Sequence, residues 1–202
     1  MVSQLSVRDL EQIDAGIRDK YEKVAATPEG QFKYPTGWEG LKGLQYDSHL
    51  IGDLPDSVAG SFCGVGNPFS LGEIRSGEHV LDIGCGAGVD ALLAAKLVGP
   101  SGRVLGLDLT REMVQKANAN KKALNAENVT FQVGGVQDLS SMEGRFDVVI
   151  SNGVFNLIPE KEAALQSAYS LLKPGGMLLL ADQFASGTQS KDLKDRVATW
   201  FQ

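Results

Sequence analysis

Residues 80–88 read Val-Leu-Asp-Ile-Gly-Cys-Gly-Ala-Gly, and twenty residues past Gly88 a second apolar run, 104–107, ends in Asp108. An apolar run that breaks into closely spaced glycines is a strand feeding a sharp turn into a helix. Gly84 and Gly86 supply positive φ and bare backbone that a ligand can approach, and Gly88 lets the following helix pack tightly on its strand. Asp108 ends the next strand, where a carboxylate in an open α/β sheet can accept both hydroxyls of a ribose.

The spacing is G-x-G-x-G, two residues after Asp82. It departs from the G-x-G-x-x-G that seats a pyrophosphate on a helix N-terminus. Asp82 would repel a diphosphate and suits an ammonium group. A ligand with an amino acid at one end and a nucleoside at the other satisfies both carboxylates, and S-adenosylmethionine is such a ligand. Two rivals stand beside it: a purely structural βα turn, and a nicotinamide-dependent dehydrogenase, which conflicts with the glycine spacing and with Asp82.

Composition narrows the field. With 202 residues the chain has room for one full core plus an N-terminal elaboration. Hydrophobic content of 43% and charged content of 22% are those of an ordinary globular protein. A net charge of −6, with no Lys/Arg run interleaved with aromatics, argues against nucleic acid as a partner. Neither a membrane-length apolar stretch nor a secretory leader is visible, so the expected location is cytoplasmic. Cys63 and Cys85 are the only cysteines, too few for a disulfide framework or a thiolate metal cage, and no metal site is expected.

Ser6 and Asp9 form a capping box ahead of Val7, Leu10, Ile13, Ile17, Tyr21 and Val24, which recur at helical spacing up to Pro28. This stripe reads as packing. The turn-rich stretch 27–38 carries Phe32, Tyr34 and Trp38 and is read either as a lid over a ligand or as a loop pinned to the surface. Strands are then expected at 80–83, 104–107, 129–133, 146–151 and 177–181. Helices are expected at 89–98, from a Thr110 cap to Leu124, at 161–172 before the stop Lys173-Pro174-Gly175-Gly176, and at 192–201. The alternation predicts an α/β, Rossmann-like, doubly wound parallel sheet of about five strands, helices on both faces and an N-terminal helical lid. Residues 1–70 form the N-terminal helix and aromatic lid segment, and 71–202 the cofactor-binding domain. Two further C-terminal strands usual in such sheets have no sequence here. The fifth strand then needs a cover, either a homo-oligomer contact or a C-terminal segment of a longer chain.

The strings Leu-Asp-Ile-Gly-Cys-Gly-Ala-Gly, Leu-Asp-Leu-Thr-Arg-Glu-Met, Ser-Asn-Gly-Val-Phe-Asn-Leu and Leu-Leu-Lys-Pro-Gly-Gly resemble those of class I S-adenosylmethionine-dependent methyltransferases, over about residues 50–181. More narrowly, 98–113, 128–139 and 149–161 resemble the arsenite methyltransferase family. The resemblance implies that Asp82, Gly84, Cys85 and Gly86 approach the methionine end. It places Asp108 on the ribose, Leu109 and Met113 near the adenosine, Val136 and Gln137 around the adenine, and Ser151 and Asn152 near the sulfonium. S-adenosylhomocysteine is then the product.

The chain departs from the narrower family in its thiols. Gly153 stands where that family has a cysteine after Ser-Asn, Val65 stands where another falls, and Cys63 is offset from it by two. Trivalent arsenic needs several soft thiolates converging on it. Catalytic candidates are therefore few: Asn152, Asp182 just past the fifth strand, and Cys63, with His49 as a further base near the mouth. Their alternative roles are turn capping for Asn152 and Asp182 and core packing for Cys63. The expected function is methyl transfer to a small-molecule acceptor by in-line displacement. Alternatives are an arsenite methyltransferase-like enzyme with an altered thiol site, and an S-adenosylmethionine-binding module without catalysis.

Overall fold

A computed structural model describes residues 5–142, 144–184, 197 and 200. In chain order it contains α1 (Val7–Ala26), α2 (Gly37–Gly43), α3 (Ser48–Ile51), α4 (Asp56–Ala59), β1 (His79–Ile83), α5 (Val89–Val98), β2 (Arg103–Asp108), α6 (Arg111–Ala123), β3 (Val129–Val133), β4 (Phe146–Asn152), α7 (Lys161–Ser170) and β5 (Leu172–Ala181). The five strands are all parallel, in the order β3-β2-β1-β4-β5. The order reverses at β1, so the carboxyl ends of β1 and β4 flank the topological switch point where open α/β sheets hold ligands.

In the inner strands β1 and β4 side chains alternate between two buried faces, which is why their sequences are largely apolar runs, whereas the edge strand β3, Val-Thr-Phe-Gln-Val, buries Val129 and Phe131 and exposes Thr130 and Gln132. Val80, Val104, Val129, Val148 and Leu179 enter one core with α5 and α6. Leu81, Ile83, Leu107 and Val149 enter a second core with Ala164, Ala168 and Leu171 of the α7 segment. Helix α5, Val-Asp-Ala-Leu-Leu-Ala-Ala-Lys-Leu-Val, is apolar nearly all round because both of its sides are covered. The sheet lies below it, and Leu41, Tyr46, Ile51, Leu54, Val58 and Phe62 belong to the same core.

The capping box forms as expected, with Asp9 N–H donating to Ser6 Oγ at 3.2 Å and Ser6 N–H to Asp9 Oδ2 at 2.8 Å. Three expectations need correction. Thr110 occupies the N-cap of α6, yet its hydroxyl makes no capping bond; the Thr110 N–H goes instead to Asp108 Oδ1 at 2.9 Å. The helix expected over 161–172 stops at Ser170. Beyond it, the Lys-Pro-Gly-Gly stop lies inside β5: the pairing jumps from Phe146↔Leu172 to Val148↔Met177, and the residues between make a bulge with Gly175 at φ +82°. Apart from Val197 and Trp200, the helix expected at 192–201 lies outside the described residues.

β5 is an edge strand of the described sheet. Residues 66–72 lie against one of its faces, where a Cβ on Gly66 would stand 2.7 Å from Ala181 Cβ and one on Gly72 2.9 Å from Leu179 Cδ2. Among the described residues no helix is long and apolar enough to cross a membrane.

Candidate functional site

The loops leaving β1, β2 and β4 enclose a cavity of about 560 Å³, within the range that takes a nucleoside-sized ligand. Its floor is the turn after β1. Gly84, Gly86 and Gly88 have φ of +72°, +51° and +81°, the left-handed region a glycine enters without strain. A Cβ on Gly84 would collide with Val154, and one on Gly88 would stand 2.6 Å from Phe131, whereas one on Gly86 would meet nothing within 4 Å. Gly84 and Gly88 are thus required by packing, and Gly86 opens onto free space.

The carboxylates differ in how they are satisfied. Asp108 Oδ2 accepts the Gly86 N–H at 2.8 Å while Oδ1 accepts that of Thr110. Burial raises its pKa, and those two amides and nearby Arg18 pull the other way. Asp82 is 2% exposed, and among the described residues its Oδ2 has no hydrogen-bond partner. Burial, then Asp90 and Asp108, push its carboxyl well above the ordinary range. An unpaired buried carboxylate oxygen costs free energy until something cationic or protic meets it.

Asp90, in the first turn of α5, also lines the cavity. Its Oδ1 accepts the Tyr46 hydroxyl at 2.8 Å and its Oδ2 the Asn152 amide at 2.9 Å. Burial pushes its pKa up to about 6 against the pull of those two donors. Asn152 Oδ1 accepts the Val65 and Gly66 N–H groups at 2.8 and 3.0 Å, which ties the 64–66 turn to the end of β4. With Asp14 and Glu160 the lining holds five carboxylates, and no Lys, Arg or His among the described residues.

Helix α1 forms the roof. Leu10, Ile13, Ile17 and Tyr21 face the cavity, and Arg18 Nη1 donates to Leu109 O at 2.7 Å, latching α1 to the turn after β2. The stripe read as plain packing therefore also lines the site. Of the aromatic stretch, Phe32 stacks against Tyr21 and Tyr34, Tyr34 donates to Cys63 O at 3.1 Å, and Trp38 donates to Asp56 at 2.8 Å. None of the three lines the cavity; Phe32 and Tyr34 brace Tyr21 and Cys63, which do, and Trp38 ties α2 to α4.

Asp82, Gly84, Cys85, Gly86, Asp108, Leu109, Val136 and Gln137 all border the cavity, as do Asn152 and Cys63. Two expected cofactor neighbours lie elsewhere. Met113 is fully buried with Val24 and Ala87. The hydroxyl of Ser151 donates to Ile83 O at 2.8 Å, a bond between β4 and β1. Asp182 is not in the lining: it accepts the Asn156 N–H at 3.1 Å and its neighbour Gln183 N–H at 2.7 Å, the capping alternative. His49 sits on α3, away from the cavity. The Cys63 thiol is pushed up to about 12 by burial and then by Asp108 and Asp90, and the Cys85 sulfur would stand 3.0 Å from a Cβ on Gly106. Sequence reasoning missed Tyr46 and Asp90; the available signal was a lone carboxylate in α5, whose only other charged residue is Lys96.

A family model described as a methyltransferase domain matches residues 74–201. The chain belongs to this family. Its sheet and flanking helices are the Rossmann-like class I fold of S-adenosylmethionine-dependent methyltransferases. This methyltransferase-family chain is similar to the arsenite methyltransferase of Halobacterium salinarum, 36% identical over 189 residues, 87% of this chain and 48% of that protein. It is similar to the arsenite methyltransferase of Mus musculus, 36% identical over 202 residues, 96% of this chain and 53% of that protein. Among solved structures it resembles an arsenic(III) S-adenosylmethionine methyltransferase from Chlamydomonas reinhardtii, with TM-score 0.57 and 35% identity, covering 71% of this chain and 48% of that one. The chain spans about half the length of the curated relatives it matches.

Proposed function

We propose that this methyltransferase-family chain binds S-adenosylmethionine and transfers its methyl group to a small-molecule acceptor. The observation that carries the reading is the charge of the cavity: among the described residues five carboxylates border it, one of them with an unpartnered oxygen, and no cationic side chain does. A dinucleotide would bring two phosphate charges into that field, whereas a sulfonium and an ammonium are attracted by it. The orphaned Asp82 Oδ2 fits the ammonium, Gly86 has the open space for a ligand to approach its backbone, and Asp108 keeps lone pairs for ribose hydroxyls. Val136 and Gln137 flank the adenine side. The bound cofactor supplies an electrophilic methyl on a sulfonium.

What the protein contributes is alignment and exclusion of water. Asp108 fastens the β1 loop while facing the ribose, and α1, pinned by Arg18, roofs the site with apolar side chains. Burial keeps the Cys63 thiol and the Tyr21 hydroxyl protonated near neutrality, and Asp90, with its carboxyl pushed up to about 6, has both oxygens engaged by Tyr46 and Asn152, so none of these three is an open base. An acceptor that attacks through a lone pair already free needs none.

Arsenite is the acceptor named for the relatives, and the two positions where their family carries cysteines are neighbours here. A Cβ on Gly153 would lie 3.2 Å from Val65 Cγ1, and neither residue carries sulfur. Cys63 and Cys85 are both free, and within these 202 residues three thiolates cannot converge on one arsenic. The reading is therefore a methyltransferase for a different or differently held soft acceptor, acting in the cytoplasm. Formation of S-adenosylhomocysteine against a panel of thiols, arsenite, amines and phenols tests it. Turnover with at least one neutral acceptor is expected; binding without turnover across the panel would favour a cofactor-binding module.

A further inference from the structure

Among the described residues, Asp90 is held by neutral hydrogen-bond donors only. The Tyr46 hydroxyl and the Asn152 amide satisfy both of its oxygens, and Tyr46 is itself fixed by edge contacts to Phe62 and Phe69 at 5.3 and 5.9 Å between ring centres. Hydrogen bonds from neutral donors orient a carboxylate and leave its charge uncompensated. Beside it stands Asp82, 2% exposed, bordering the same cavity with an oxygen that no group among the described residues meets. One cationic group meets Asp82 alone; the second buried charge still lacks a partner. The proposed ligand carries two cations, and its demethylated product only one.

We propose that Asp90, oriented by Tyr46 and Asn152, recognises the sulfonium charge of the methyl donor, so that the cavity holds S-adenosylmethionine in preference to neutral-sulfur S-adenosylhomocysteine and releases the product once the charge is spent. This rests on the cofactor reading above and deepens it. Asp90 borders the cavity and is 7% exposed, and around so buried a group Coulomb attraction is screened far less than in water. Orienting that carboxylate gives Tyr46, remote in sequence from the glycine loop, a positioning role in cofactor selection. Transfer of the methyl as a cation converts sulfonium to thioether, and the electron pair of the broken carbon–sulfur bond stays on sulfur; the field of Asp90 then has nothing left to grip.

The test is the ratio of dissociation constants for the two ligands, measured by calorimetry near neutral pH on the whole chain. The wild type is expected to bind the methyl donor about tenfold more tightly than the product, the factor that a modest difference in charge recognition produces. Asp90→Asn should bring the two affinities together mainly by weakening the methyl donor. Tyr46→Phe, which keeps the carboxylate but removes the hydroxyl that orients it, should reduce the preference part of the way, less than Asp90→Asn does; an unchanged ratio would remove Tyr46 from the proposal. A wild type that binds the product as tightly as the donor, or an Asp90→Asn variant that loses both ligands in parallel, would overturn the proposal while leaving the cofactor reading intact. Binding of neither ligand to the wild type would remove the cofactor reading itself. The wild-type ratio decides the matter even if Asp90→Asn fails to fold.

Discussion

Asp108 Oδ2 accepts the Gly86 N–H at 2.8 Å, so the carboxylate ending β2 fastens the glycine loop that leaves β1. Its other oxygen holds Thr110 at the start of α6. One side chain thereby couples two strand ends to the cavity between them, and its loss has two consequences. Asp108→Ala should lower stability by roughly 1–3 kcal/mol, the cost of leaving buried amides unpaired, and weaken S-adenosylmethionine binding by roughly 1.5–3 kcal/mol. Urea denaturation and calorimetry on the same variant separate the two; unchanged affinity in a folded variant would remove Asp108 from the ribose.

The glycines of the same loop should respond differently to a methyl group. Gly84→Ala meets both a left-handed backbone and Val154, while Gly86→Ala meets the backbone strain alone. Strain of this kind costs about 1–2 kcal/mol, so Gly86→Ala should fold with a modest drop in midpoint yet lose ligand affinity. Gly84→Ala should be the less stable protein. Thermal melts with and without cofactor check the order, and the reverse order would mean that the turn is described wrongly.

The raised carboxyl of Asp90 gives a pH dependence with a definite sign. Its folded value of about 6 lies above the ordinary 3.8, so between these values the folded protein holds more protons than the unfolded chain. Stability of the ligand-free protein should then fall as pH rises through that window and level off above it. A cationic ligand favours the ionised form, so affinity for S-adenosylmethionine should increase from about pH 5 to about pH 7 with release of protons. Calorimetry in buffers of different ionisation enthalpy reads that release directly.

Cys63 should behave as an inert thiol. With its pKa pushed up to about 12, little thiolate exists near neutrality, and alkylation should be much slower than for an unperturbed cysteine. Cofactor should slow it further, because Cys63 borders the cavity. Rapid labelling by iodoacetamide in the folded state would contradict this environment.

Strand periodicity, the glycine turn and Asp82 with Asp108 were legible because each depends on chemistry local to a few residues: burial on both faces, positive φ, a charge at a strand tip. The α1 stripe was legible as a helix face but not as a cavity roof, since Leu10, Ile13, Ile17 and Tyr21 look the same whether they cover a core or a ligand. The Tyr46–Asp90–Asn152 ring could not be read from spacing: it joins residues 44 and 62 positions apart through the tertiary fold. Ser151 and Met113 looked like cofactor neighbours by motif, and instead the pleat and helix rotation turn them into the packing. The Lys-Pro-Gly-Gly stretch signalled a helix stop and concealed a bulge within β5.

Titration calorimetry with S-adenosylmethionine and, separately, with NAD tests the central claim, that a cavity lined by acids and, among the described residues, by no cation selects a sulfonium nucleoside over a diphosphate. Saturable binding of S-adenosylmethionine with proton release, and no heat from NAD, is the predicted result. Uptake of NAD, or no uptake of S-adenosylmethionine by folded protein, would contradict it.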